Sequence, residues 1–184
     1  MPEARNWREN EEKFRELILY ISQKCATDPR FGAVKLNKIL FFSDFLSYAK
    51  TGDPITFFEY QRLPNGPAPR RLIPVRSKML EERILGIQEV RLRSGKTQKR
   101  TVNLRLPNLK IFTGEEIELV DSVIEALADA DAETASELSH QMVGWQIVAD
   151  GETIPYGTIF LSNEPLTYAE VLRGRELAGS LCAA

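Results

Sequence analysis

Residues 33–50 constrain this 184-residue chain more than any other stretch. Leu36, Ile39, Leu40, Phe42, Phe45, Leu46 and Ala49 recur there at helical spacing and cover much of a helix's circumference. A helix that is apolar on several sides needs neighbours on several sides, so it belongs at the centre of the fold. Its polar residues include Lys35, Asn37, Lys38, Ser43 and Asp44. An acid in so apolar a helix needs a hydrogen-bonding or ionic partner once it is buried. A structural bond is one role for Asp44, and contact with another protein is the alternative. Thr51-Gly52-Asp53-Pro54 stops the helix, with Gly near the C-cap and Pro beyond it.

The remaining pattern is mostly helical. Phe14, Leu17, Ile18, Ile21 and Cys25 mark one face of a helix over 7–26. Ile55 to Tyr60 is a short β-prone run, followed by a rigid turn-rich loop from Leu63 to Pro69. Arg70 to about Glu82 resumes helical spacing, with Pro74 placed in the first turn. Residues 84–106 read as a β-hairpin turning at Ser94-Gly95-Lys96. Its apolar side holds Val90, Leu92, Val102, Leu104 and Leu106, and its polar side and tip are cationic. Thr113-Gly114-Glu115-Glu116 is a capping box opening a helix over 113–131. Two further boxes, Thr134–Glu137 and Thr167–Glu170, open a short helix through His140 and a terminal helix. Between them a short helix is expected at 144–149 and extended chain at 154–156. The expected fold is mainly α, a single compact domain over 7–181 with one inserted β-hairpin (α+β).

Composition excludes several classes. Apolar residues make up 43% and charged residues 27%, with net charge −2, which argues against a disordered, collagenous or membrane chain. The longest apolar run, Ile39 to Phe42, is far short of the ~20 residues a membrane span needs. Met1 to Glu12 mixes charges, unlike a signal peptide. Two cysteines, Cys25 and Cys182, make neither a disulfide framework nor a zinc set. A cytoplasmic protein without a membrane partner is the expectation. The chain lacks the glycine-rich phosphate loops and the nucleophile elbow. Its one histidine, His140, has Ser139 beside it, but adjacent helical residues do not face each other. No catalytic, metal or cofactor-binding residue is therefore assigned.

The charge distribution is uneven. Residues 61–110 carry 13 Lys/Arg and 3 Asp/Glu, net +10, whereas residues 111–184 carry 2 and 14, net −12. Arg70, Arg71, Arg76, Lys78, Arg91, Arg93, Lys96, Lys99 and Arg100 lie in the basic segment. Three readings stand open: neutralisation by the acidic third or solvent, an acidic protein partner, or nucleic-acid phosphates. The scarcity of aromatics in the segment gives little support for stacking on single strands.

Lys35-Leu36-Asn37-Lys38-Ile39-Leu40-Phe41-Phe42-Ser43-Asp44 resembles the "KLxKLLYYAD"-like helix of the Panacea domain, also called the SocA-like or phage-associated domain. Tyr60-Gln61-Arg62-Leu63-Pro64-Asn65-Gly66-Pro67-Ala68-Pro69 is similar to that family's "Y…GPxxP" element. Leu138-Ser139-His140 with Gly144-Trp145 resembles its "LSH…W" segment. The order and spacing of the three carry the match. The resemblance implies a mainly helical, non-enzymatic antitoxin of a bacterial or phage toxin–antitoxin pair. Its partner would be a cognate toxin, and some members also engage a protease or its unfoldase. Nucleic acid is the alternative partner, and a homo-oligomer is compatible. Candidate partner-binding residues are Asp44, Asn65, Arg70, Arg71, Arg91, Arg93, Lys99 and Arg100. Lys35, Leu36, Lys38, Phe42, Pro64, Gly66, Pro67, His140 and Trp145 carry the family motifs. Structural roles are expected for these: core for Leu36 and Phe42, a turn for Gly66, a packing anchor for Trp145.

Overall fold

The computed structural model describes residues 7–92, 94–165 and 167–181. Helix α2, Ala33–Thr51, is the hub that its apolar circumference predicts. It packs on α1 (Trp7–Lys24), on α4 (Gly114–Ala126) and on α5 (Ala132–His140). Leu36, Ile39, Leu40 and Phe41 are each 0% exposed. Phe41 and Phe45 lie 4.2 Å apart between ring centroids, and Phe45 meets Tyr156 at 4.7 Å. Such ring pairs add to the burial that drives folding. Gly52 ends α2 in a left-handed conformation, its N–H bonded to Tyr48 O.

Helix α3 spans Leu72–Glu81, and Pro74 sits in its first turn, where a missing N–H costs nothing. The expected hairpin is β3 (Leu85–Arg91) paired antiparallel with β4 (Thr97–Asn103). Helix α6 (Val143–Ile147) and helix α7 (Tyr168–Leu181) complete the seven helices of the described residues. The mainly helical expectation with one hairpin therefore holds. No described helix is long and apolar enough to cross a membrane.

Three details differ from expectation. First, α5 is capped by Asp131, not by a Thr134 box: Asp131 Oδ1 accepts from Thr134 N–H at 2.9 Å, and the helix starts three residues earlier. Second, a small antiparallel sheet joins β1 (Tyr60–Gln61) to β2 (Ala68–Pro69) and β5 (Thr153–Ile154). After β5, Tyr156 is not extended but starts a 3-10 turn through Phe160. Third, the apolar side of the hairpin does not face the core. Val102, Leu104 and Leu106 are 39%, 59% and 75% exposed. Polar side chains turn inward instead. Asn103 donates to Leu19 O, Gln98 to Pro29 O and Arg100 to Ala26 O. Leu19 lies within α1, and Ala26 and Pro29 lie in the turn that follows it, so amide and guanidinium donors tie the hairpin to both.

The first helix is likewise buried on more than its apolar stripe. Glu16 is 4% exposed. It accepts both a guanidinium fork from Arg105 and the Asn108 N–H at 2.7 Å. Burial pushes the Glu16 carboxyl up, but these donors outweigh it and hold it below the usual range. Cys25 is buried, and desolvation raises its thiol to about 11, so it behaves as core.

Candidate functional site

The three motif segments converge on one spot. Pro64 and Asn65 form the corner of a turn closed by Gly66 N–H to Leu63 O at 2.9 Å. Proline pre-sets the backbone for that corner, and Gly66 takes a φ of 89°. The turn is pinned from beneath by Lys38 on α2. Its Nζ donates to Asn65 O at 2.6 Å and Pro67 O at 3.1 Å. Lys38 is 1% exposed, and desolvation lowers its pKa to about 7. A side chain at position 66 has no room. Its Cβ would fall on Lys38 Nζ and on Ser139 Oγ of α5. Ser136 Oγ adds a bond to Asn65 O at 3.1 Å. So α2 and α5 grip the turn between them.

The far side of the turn is held by Trp145 on α6. Its Nε1 donates to Leu63 O at 3.2 Å. Two groups lie against the indole: His140 stacks on it at 4.0 Å, and the Arg62 guanidinium sits over it at 4.4 Å. Arg62 also donates to Val148 O at 2.7 Å and pairs with Asp150. Burial, with the nearby Lys38 and Arg62 charges, lowers the His140 pKa. Ser139 Oγ donates back to Ser136 O at 2.7 Å, so Ser139 and His140 form no nucleophile–base pair.

Asp44 is a structural residue. It is 0% exposed, which corrects the expectation of partner contact. Thr56 N–H reaches Asp44 Oδ1 at 2.7 Å, while Thr56 Oγ1 and Tyr60 Oη reach Oδ2 at 2.5 and 2.7 Å. Even so, desolvation dominates and raises Asp44 to about 6. The carboxylate thus fixes the strand entering the proline turn. Lys35, also 1% exposed, pairs with Asp28 at 2.7 Å and donates to Ala128 O at 3.0 Å, tying α2 to the end of α4. Leu36 is core and Phe42 half-buried. Pro67 is buried and Pro64 exposed.

The other candidate contacts divide. Asn65, Arg70, Arg71, Arg91 and Lys99 are exposed. Arg70 is engaged with Gly151 O, Thr153 Oγ1 and Glu59, and Arg71 pairs with Glu11. Lys99 pairs with Glu89 at 3.6 Å. Arg100 is half-buried, and its guanidinium donates to Ala26 O at 2.9 Å just past the end of α1. Arg93 lies outside the described residues. The turn packs on α2 and α5, whereas the hairpin lies on α1, so these residues belong to two surfaces.

The +10 and −12 segments meet at the proline turn, through hydrogen bonds and packing more than through ion pairs. Arg62–Asp150 is an ion pair joining them. The acids of α4 and its C-terminal turn instead pair with the first third, through Lys13–Glu116, Lys24–Asp121 and Arg30–Asp129. Cations of the basic segment pair with Glu11 and Glu16 of α1. Each segment therefore keeps charge on its outer face.

Sequence reasoning missed Thr56, Tyr60 and Arg62 as anchors, although Tyr60 and Arg62 lie inside the quoted motif. It also missed a groove of about 370 Å³ between α2, α4 and α5. The model of one family, described as antitoxin SocA-like, Panacea domain, matches residues 36–146. No curated protein and no solved structure matches the chain.

Proposed function

The chain belongs to the SocA-like Panacea-domain antitoxin family, and from that premise we propose that it neutralises a co-encoded toxin by binding it directly. The family match over residues 36–146 carries the reading. The geometry of the matched segment supports it. Lys38, Asp44 and Trp145 bond to neighbouring elements, and Gly66 gives the turn room against Lys38 and Ser139. They build a stiff scaffold, and stiffness limits the entropy lost when a surface binds a partner. The protein acts stoichiometrically in the cytoplasm and catalyses no reaction. In a finer form, the bound toxin is passed to a protease or its unfoldase.

Phosphate binding by the hairpin has less to draw on. Arg100 and Arg105 are bonded inward, and Lys99 is paired with Glu89. The test is co-expression with the product of the neighbouring gene. The proposal expects that product to arrest growth alone, to be harmless with this chain, and to co-purify with it. A harmless neighbour that does not co-purify would defeat it.

A further inference from the structure

The groove between α2, α4 and α5 is lined by Phe42, Leu46, Val123, Ala126, Leu127 and Leu138. It is open and apolar. Leu46 and Leu138 remain 38% and 40% exposed, although each sits beside fully buried residues of its own helix. An apolar trough between helices is the shape that takes the apolar face of another helix. The charge around it is one-sided. Between Lys110 and Arg173 the chain holds no Lys or Arg. Glu115, Glu118, Ser122 and Ala126 follow i, i+3, i+7 and i+11 along α4, so the two acids continue the groove-side stripe. On α5, Glu133 and Glu137 are exposed. Lys13 and Lys50 line a smaller pocket at the far, polar end of the α2–α4 seam together with Glu115 and Glu116, and Lys13 is paired with Glu116.

We propose that this groove binds an amphipathic helix carrying Lys and Arg along the edges of its apolar face, supplied by the toxin. Leucine-like side chains of that helix fill the trough, and its cations meet the acids of α4 and α5. The inference rests on the antitoxin reading for the owner of the helix, but not for the chemistry of the groove.

Two arms separate the ideas. The first uses peptides: a helical Leu/Lys peptide with a one-sided apolar stripe, and its Leu/Glu counterpart with the same stripe. Anisotropy should show the Leu/Lys peptide binding about tenfold tighter or more. The double substitution Leu46→Glu with Leu138→Glu adds negative charge while removing apolar contact. Groove binding predicts weaker Leu/Lys binding by about tenfold, whereas unspecific attraction to acids predicts equal or tighter binding. The latter result, or equal binding of the Leu/Glu peptide, overturns the groove. If the double variant melts early, Leu46→Gln with Leu138→Gln replaces it, with the same outcomes. The second arm is toxin co-expression. If the wild-type chain protects and the folded groove variant protects equally, the groove inference falls and the antitoxin reading stands. If the wild-type chain fails to protect, the antitoxin reading falls and the peptide arm alone decides the groove.

Discussion

Replacing Gly66 with alanine attacks the turn at its most constrained point. Two costs follow from the geometry. The backbone holds a φ of 89°, a left-handed conformation that costs a residue with a Cβ about 1–2 kcal/mol. The added carbon would also land on Lys38 Nζ and Ser139 Oγ, well inside the 3.0 Å that real Cβ contacts respect. A flexible lysine elsewhere would swing away. Here Nζ is enclosed and spends its protons on Asn65 O and Pro67 O, so moving it breaks charge-assisted bonds worth about 1.5–3 kcal/mol. The sum is roughly 2.5–5 kcal/mol. Gly52→Ala is the control, because Gly52 has a φ of 84° but nothing within 4 Å of its missing Cβ. It should lose only the backbone share, about 1–2 kcal/mol. Urea unfolding of both variants reads the difference. If Gly66→Ala lost no more stability than Gly52→Ala, the view of Lys38 as a rigid clamp would be wrong.

Other expectations follow from single contacts. Asp44 has its folded pKa raised from 3.8 to about 6, so the native state keeps the proton longer than the unfolded chain. Stability attributable to Asp44 should therefore fall as pH rises from about 4 to about 6, by up to about 3 kcal/mol. The difference between wild-type and Asp44→Asn urea midpoints across that range checks this, and a flat difference contradicts it. Arg105→Met should cost about 2–3 kcal/mol, because it strips the fork from a buried Glu16 carboxylate. The double variant Glu16→Gln with Arg105→Met should recover part of that loss in the same urea assay. Trp145→Phe removes the donor to Leu63 O but keeps a ring against His140, so it should cost about 1 kcal/mol. A loss above that of Trp145→Ala would reverse the assignment.

Much of this architecture is legible in sequence where hydropathy and packing agree. The apolar circumference of α2 announces its central place, and it does pack on α1, α4, α5, β2, β4 and the Tyr156–Phe160 turn. Thr113 and Glu116 form the reciprocal capping box that their spacing predicts. Legibility ends where polar groups face each other. Val102, Leu104 and Leu106 alternate like a buried face, yet the surface beneath β4 offers Leu19 O and Glu16, so the opposite set, Thr101, Asn103 and Arg105, turns inward. Alternation reports hydropathy, not what the strand lies on. Near α5, Asp131 and Thr134 are both good caps, and periodicity does not rank them. Two-residue strands such as Tyr60–Gln61 are too short to show a period. Within the site, the motif residues are visible as a pattern. Their inward roles are not, because Asp44 and Lys38 find partners 12 to 29 residues away. The groove needs Leu46, Val123 and Leu138 from three helices and has no signature in any one of them.

The central claim is neutralisation by binding. Purified chain titrated against a fixed amount of purified toxin, with toxin activity as the readout, tests it most directly. Binding predicts inhibition that rises in proportion to added chain and stops at a fixed molar ratio, with the toxin recovered active and chemically unchanged after the complex is denatured and refolded. Loss of activity that proceeds with time at a small molar fraction of chain, or full activity at excess chain, would contradict it.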